Sequence, residues 1–243
     1  VTRRFFIPPG NISGSRALIT GSDVDHARRV LRLKEGDSIE LRDGSGRVFA
    51  SKIISLKADS ISCEVISSRS ARSEPKTKVS LLQSIPKESK MDMIIQKCTE
   101  LGVSEIIPVQ SERSVVRLSE EKKKSRLARW QKIAKEAAEQ SGRGIIPRIN
   151  AILDFNESLK LAGNFDLSVI PWEMEEKTTL KKHLNSGVAS ILIAVGPEGG
   201  FSKAEVDKAV EAGFRSVSLG KRILRTETAG IAALAMINYA LEM

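Results

Sequence analysis

Apolar and polar positions alternate in short bursts over the first 66 residues, at 38–41, 47–55 and 60–66, with Gly, Asp and Ser between the bursts. Such spacing predicts short strands that each turn one face to a shared core, as in a small β-barrel. The turn Asp43-Gly44-Ser45-Gly46 supports a hairpin between two of them, because Gly supplies the positive φ that a tight turn needs. A helix is predicted to interrupt the strands. Ser22 or Asp23 reads as its N-cap, it carries His26, Arg28, Arg29 and Arg32, and Lys34-Glu35-Gly36-Asp37 ends it. Residues 67–78 (SSRSARSEPKTK) are polar and basic, contain Pro75 and show no apolar period, which predicts a linker.

From Val79 the pattern changes. Strand-like runs at 79–85, 104–109, 167–171, 190–195 and 216–219 alternate with helix-like stretches at 88–101, 120–141, 202–212 and 226–241. That alternation predicts a mostly parallel sheet covered by helices. The expected fold class is therefore α/β, with a β-barrel domain at 1–70 and an α/β domain at 75–243.

Composition narrows the function. A chain of 243 residues, 41% hydrophobic, has the material for one large or two ordinary domains. Its net charge of +9 and pI near 9.6 favour an anionic partner, nucleic acid first, although a basic surface also serves solubility alone. Cys63 and Cys98 sit singly in apolar patterns, as in a reducing compartment, and His26 and His183 are far apart. No zinc site or other metal is expected from them. The apolar run within residues 1–7 is too short for a signal peptide and no later run would span a bilayer, so a soluble, cytoplasmic protein is expected.

Two glycine-bearing turns, each after an apolar run and before a helix, carry the candidate chemistry. The first, 196–201 (GPEGGF), lacks the G-x-G-x-x-G spacing of a dinucleotide loop, and no G-x-x-x-x-G-K-[ST] exists in the chain. Without Cβ atoms at Gly196, Gly199 and Gly200, a ligand can reach the main chain there. Ser202-Lys203-Ala204-Glu205 then matches a capping box. Taken alone, this is more often a plain strand-to-helix turn. The second, 219–229 (LGKRILRTETA), sets Lys221, Arg222 and Arg225 beside Thr226, Glu227 and Thr228, ahead of an Ala-rich helix whose small residues permit close packing. Two such loops at the carboxyl edge of one sheet predict a site for a polar cofactor and an anionic substrate.

GPEGGFS followed by LGKRILRTETA resembles the motif pair of the ribosomal RNA small subunit methyltransferase E family, a branch of the SPOUT RNA methyltransferases. Further blocks agree: Lys97-Cys98-Thr99-Glu100-Leu101-Gly102-Val103, Glu112-Arg113-Ser114, Arg129-Trp130-Gln131-Lys132-Ile133 and Glu139-Gln140-Ser141-Gly142-Arg143. In front, Arg3-Arg4-Phe5-Phe6 and the stretch from His26 to Arg32, with Gly36-Asp37, are similar to that family's PUA-like RNA-binding domain, so the likeness spans nearly the whole chain. It implies methylation of N3 of a uridine in 16S ribosomal RNA, S-adenosylmethionine as methyl donor, a trefoil knot in the catalytic domain and a homodimer with the final helix at the interface. Carried onto this chain, the cofactor loops are 170–173, 195–201 and 219–229. They hold Ile170, Pro171 and Glu173, then Val195, Gly196, Glu198, Gly199 and Gly200, then Leu219, Gly220, Ile223, Leu224, Arg225, Thr226, Thr228 and Ala229.

Methyl transfer is an in-line displacement, and uracil N3–H is too weak an acid to be ionised at neutral pH. A base must take that proton or a cation must stabilise the anion. Arg225 is the expected cation, and Glu198 and Glu227 are each a candidate base or an orienting group for Arg225. Contacts to the ribosomal RNA of the 30S subunit are expected from Arg3, Arg4, Arg28 and Arg32 in the first domain and from Arg113 and Arg143 in the second. Two alternatives share most of these features: a SPOUT enzyme acting elsewhere on RNA, such as a transfer RNA 2′-hydroxyl, and a ribosome-assembly factor that binds RNA without catalysis.

Overall fold

The early alternation becomes a six-stranded sheet in the computed structural model, which describes residues 3–87, 89–114 and 118–241. Its strands are β1 (Arg4–Phe6), β2 (Ile12–Ser13), β3 (Arg16–Thr20), β4 (Ser38–Arg42), β5 (Arg47–Leu56) and β6 (Ser60–Ser70). They run in the order β1-β4-β5-β6-β3-β2, antiparallel except for β1 beside β4. Period-two patterning does what it should: Ala17 and Ile19 of β3 are buried while Arg16, Leu18 and Thr20 face out. The inward residues, with Phe5, Leu41, Ile53 and Ile61 among them, form one core.

Two local expectations for this part are corrected. Helix α1 (Ser22–Asp25) is capped by Gly21 at φ 71°, a conformation Ser or Asp would not take readily, and continues as a π-helical turn from His26 to Val30. The expected linker is shorter than 67–78, because Ser67–Ser70 still pair with Arg47–Ala50. Their side chains are all exposed, so pairing through the main chain left no apolar signature.

The remaining elements are β7 (Lys78–Ser84), α2 (Lys90–Glu100), β8 (Glu105–Gln110), α3 (Glu120–Ser141), β9 (Arg148–Ile149), β10 (Leu153–Asp154), α4 (Phe155–Leu159), β11 (Leu167–Pro171), β12 (Ser190–Val195), α5 (Lys203–Glu211), β13 (Arg215–Val217) and α6 (Thr226–Leu241). Seven strands make one all-parallel sheet, ordered β10-β8-β7-β12-β11-β13 with β9 on β8. A parallel sheet covered on both faces needs unbroken apolar strands, and Ile191–Val195 is buried throughout. Helix α6 packs on α2, β7 and β12. A Cβ added at Gly230 would stand 3.3 Å from Leu81 Cδ2, which is how small residues let this helix come close. The expected helix start at Glu88 lies outside the described residues.

By contacts the chain divides into two units, Val1–Glu74 with Ala138–Ile146, and Pro75–Ala137 with Pro147–Met243. The returning stretch 138–146 is held in the first unit by Glu74. That carboxylate lies 2.6 Å from Arg143 Nη2 and accepts the main-chain N–H groups of Gly144 and Ile145 at 2.8 and 3.2 Å. Glu139 Oε1 likewise accepts the Phe6 N–H at 3.2 Å. No helix among the described residues is long and apolar enough to cross a membrane.

Candidate active site

β12, β11 and β13 are adjacent and parallel, so their carboxyl ends, and the loops that follow, lie side by side. Those loops enclose a cavity of about 300 Å³. Open parallel sheets place ligands at this edge. Of the residues expected to hold the cofactor, Pro171, Glu173, Val195, Gly196, Glu198, Gly199, Gly200, Leu219, Gly220, Ile223, Leu224, Thr226 and Ala229 line it. Ile170, Arg225 and Thr228 do not: Ile170 is buried in the sheet core, and the other two are exposed around the first turn of α6. Ser218, which was not expected, does line it, and its Oγ accepts the Gly220 N–H at 3.2 Å. A serine ending a strand carries no signal of its own.

The glycine loop is fixed by close packing and by hydrogen bonds from three directions. Gly200 has φ 65°, and a Cβ there would stand 2.9 Å from Glu173 Oε1. A Cβ on Gly196 would be 3.1 Å from the Gly200 carbonyl carbon and the Phe201 nitrogen, whereas Gly199 has room, its Cβ meeting Arg113 Cδ at 3.5 Å. Arg113 donates to the Gly199 carbonyl at 2.8 Å, and Thr226 Oγ1 donates to the Gly196 carbonyl at 2.6 Å while accepting Gln83 Nε2 at 3.0 Å. Thr226 therefore ties the start of α6 to the end of β7 and to the glycine loop. Downstream, Phe201 is buried with its ring 5.1 Å from Phe155, and the expected capping box of Ser202 and Glu205 is present. Glu205 also accepts the Glu112 N–H at 2.8 Å, so the Glu112-Arg113 segment braces this turn twice.

A charged cluster spans the two loops beside the cavity. Lys90, at the start of α2, places Nζ 3.0 Å from Glu198 Oε1 and 3.7 Å from Glu227 Oε2. Glu198 Oε1 also accepts the Lys87 N–H at 3.0 Å. Burial pushes the Glu198 carboxyl up, but hydrogen bonds from its own backbone, from Lys90 and from Lys87 outweigh it and hold the group below the usual carboxylate range. The Lys90 ammonium, hydrogen-bonded to Glu198, is held above the usual lysine value. Glu227 is buried, and its Oε2 has no hydrogen-bond partner among the described residues. Arg225 is exposed nearby, and its charge is felt at Lys90. Sequence reasoning missed Lys87 and Lys90 because it read 79–96 for strand and helix alone and looked for motif residues only from Lys97 onward. The available signal was a pair of lysines directly after β7, facing the end of a strand next to it in the sheet.

The pattern described as an RNA methyltransferase domain matches residues 72–238, and the one described as an RNA methyltransferase PUA domain matches 19–66. Over 232 residues the chain is 40% identical to the ribosomal RNA small subunit methyltransferase E of Bacillus subtilis, covering 93% of this chain and 90% of that one. The chain belongs to the ribosomal RNA small subunit methyltransferase E family. The Synechocystis member is 36% identical over 242 residues, covering 98% of this chain and 78% of its own length. A crystal structure of the Neisseria gonorrhoeae member, bound to S-adenosyl methionine, superposes with a TM-score of 0.90 at 36% identity over 99% of this chain and 98% of that one. The fold class is thus the expected α/β one, with a PUA domain ahead of an RNA methyltransferase domain built on a parallel sheet, and the protein is an RNA methyltransferase.

Within this methyltransferase E fold the six arginines expected to meet RNA are placed unequally. Arg3, Arg28 and Arg32 are exposed. Arg4 is half-buried, 3.7 Å from Glu40 Oε1. Arg113 is exposed but committed to the Gly199 carbonyl. Arg143 is a correction: it is 3% exposed and paired with Glu74, so its guanidinium braces the first unit and does not face an RNA. A buried arginine and an exposed one look alike in sequence. Among the described residues no three His, Cys, Asp or Glu side chains gather as metal ligands do.

Proposed function

We propose that this protein methylates N3 of one uridine in 16S ribosomal RNA of the 30S subunit, using S-adenosylmethionine, and that it works as a homodimer. The observation that carries this reading is the cavity closed by three adjacent strand-end loops, in a chain whose gonococcal relative was crystallised with that donor. The residues fit the donor. Gly196 and Gly200 let the loop pack tightly on itself and on Glu173 to shape the cavity wall, Glu173 offers a carboxylate toward a cationic ligand, and Leu219, Leu224 and Phe201 give an apolar wall. When bound, S-adenosylmethionine supplies an electrophilic methyl carbon. The protein's part is alignment and charge. Arg225, exposed beside the mouth, stabilises the anion spread over O2, N3 and O4 of the uracil. Glu198 already accepts two donors on one oxygen, which makes it a brace and a poor proton acceptor. Glu227 Oε2 meets Lys90 only as an ion pair at 3.7 Å and accepts no hydrogen bond among the described residues, so Glu227 is the better candidate for the proton. A partner subunit would cover the exposed Met236 and Tyr239 of α6 and Met93 of α2.

A methyl group on uridine N3 removes the Watson–Crick donor and halts reverse transcriptase, whereas a ribose methyl leaves that edge free. We expect 16S ribosomal RNA from cells lacking this protein to lose one strong stop at a uridine. Purified protein with S-adenosylmethionine should restore it on 30S particles. A stop that persists without the protein, or restoration of only a ribose methyl, refutes the N3 assignment.

In the first unit Arg32 sits at φ 51°, the only non-glycine residue with positive φ among the described ones. It follows the π-helical turn, where Leu33 N–H reaches back to the Ala27 carbonyl at 2.9 Å, and Gly would fit there with less strain. Keeping arginine at such a point suits a phosphate contact. Arg32→Gly should therefore raise stability by about 1 kcal/mol or leave it unchanged. It should weaken RNA binding and lower the salt slope of that binding by about one. Thermal melts and filter binding at several salt concentrations measure both; unchanged RNA affinity assigns Arg32 to the turn alone.

A further inference from the structure

Resting on that reading of the cavity as the donor site, we infer that Lys90 is a positioning residue that clamps the glycine loop and the start of α6 at a fixed separation, setting donor affinity without touching the donor. Three observations support it. Its Nζ lies 3.0 Å from Glu198, which lines the cavity on the glycine loop, and 3.7 Å from Glu227, in the first turn of the helix that closes the opposite wall. Lys90 itself is not among the cavity-lining residues, so its effect must pass through those two carboxylates. The Lys87 N–H reaches the same Glu198 oxygen at 3.0 Å, so the segment after β7 grips the loop at two points.

The clamp also gives two neighbouring carboxylates one shared counter-charge. Glu198 and Glu227 approach one ammonium from two loops, and without it their like charges would push those loops apart. Thr226 already links the same two segments through the Gly196 carbonyl, a neutral bond that fixes the main chain. Lys90 adds the charged half of that link, from a third element. With side chains 30% and 29% exposed, the Lys90–Glu198 pair is partly screened by water, so it adjusts the site and is not needed to hold the fold.

The test uses the full chain with Lys90→Met, Lys90→Arg, Glu198→Gln and the double variant Lys90→Met with Glu198→Gln. Calorimetry with S-adenosylmethionine should show about a tenfold weaker Kd for Lys90→Met, with kcat on 30S particles at saturating donor within about threefold of the parent. Lys90→Arg should recover most of the affinity. The double variant should lose no more than Lys90→Met alone, because both changes break one link. In ligand-free protein, hydrogen exchange at Gly199, Gly200 and Glu227 should quicken in Lys90→Met. If Lys90→Met does not fold, Glu198→Gln reads the same link from its other end and should weaken Kd in the same direction. Additive losses in the double variant overturn the clamp, and so does a lowered melting temperature with unchanged Kd. A collapse of kcat at unchanged Kd would place Lys90 in the chemistry instead. Failure of the parent protein to bind the donor refutes the donor site itself, while the hydrogen-exchange comparison still judges the clamp.

Discussion

Gly200→Val is expected to weaken S-adenosylmethionine binding by 100-fold or more while leaving the fold and RNA binding in place. Two costs coincide at this residue. Its φ of 65° is a conformation that β-branched side chains rarely adopt, and the added Cβ would stand 2.9 Å from a Glu173 carboxylate oxygen. Either the loop straightens or Glu173 moves, and both events deform the cavity wall. Strain of roughly 1–3 kcal/mol at such a position corresponds to about 5- to 150-fold in affinity, and displacement of Glu173 adds to it. Gly199→Ala is the control, because Gly199 has no positive φ and its Cβ would meet Arg113 Cδ at an ordinary 3.5 Å. Calorimetry on both variants, with circular dichroism to check the fold, separates the outcomes. Unchanged affinity in Gly200→Val would reduce the loop to a turn.

Arg225→Ala should lower kcat by about 100- to 1,000-fold and leave donor affinity within about threefold of the parent, since removing one preorganised charge from a developing anion costs about that much. The geometry motivates the split. Arg225 does not line the cavity, yet its carbonyl accepts the N–H groups of Thr228 and Ala229, both at 2.9 Å, which fixes where its side chain leaves the main chain. A group outside the donor cavity but beside its mouth is placed to act on the acceptor base rather than on the donor, which is what the variant tests. Arg225→Lys should recover little, because a point charge does not reproduce a planar guanidinium over a delocalised anion. Single-turnover rates at saturating donor measure the effect, and equal losses in rate and donor affinity would reassign Arg225 to holding the cofactor.

The second unit was the more legible one because its elements are long and its strands are apolar on both faces: β11, β12, α3 and α6 were read to the residue. β1 and β2 of the first unit are not, since Arg4–Phe6 and Ile12–Ser13 are too short to show a period, and in β3 the apolar Leu18 on the outer face masks the alternation of Ala17 and Ile19. The π-helical turn at His26–Val30 was equally hidden, because its hydrogen-bond step differs while its composition does not. At the site, glycines and the Arg-Thr-Glu run were legible because each departs from what an ordinary turn requires. Lys90 was not, because its meaning lies in a pairing across 108 residues with Glu198. Arg143 shows the converse. Its motif was seen, but only the buried partner Glu74 tells that the charge is spent inside the protein.

The return of residues 138–146 to the first unit bears on how such a chain can be inherited. A gene cut near residue 75 encodes a first unit without residues 138–146, and leaves the other part with Arg143, Gly144 and Ile145 stripped of the carboxylate that holds them. Exchanging either half by a single crossover breaks these contacts, whereas a second junction inside α3 keeps them. A chimera joined once near residue 75 is therefore expected to be less stable than one that also carries a junction inside α3.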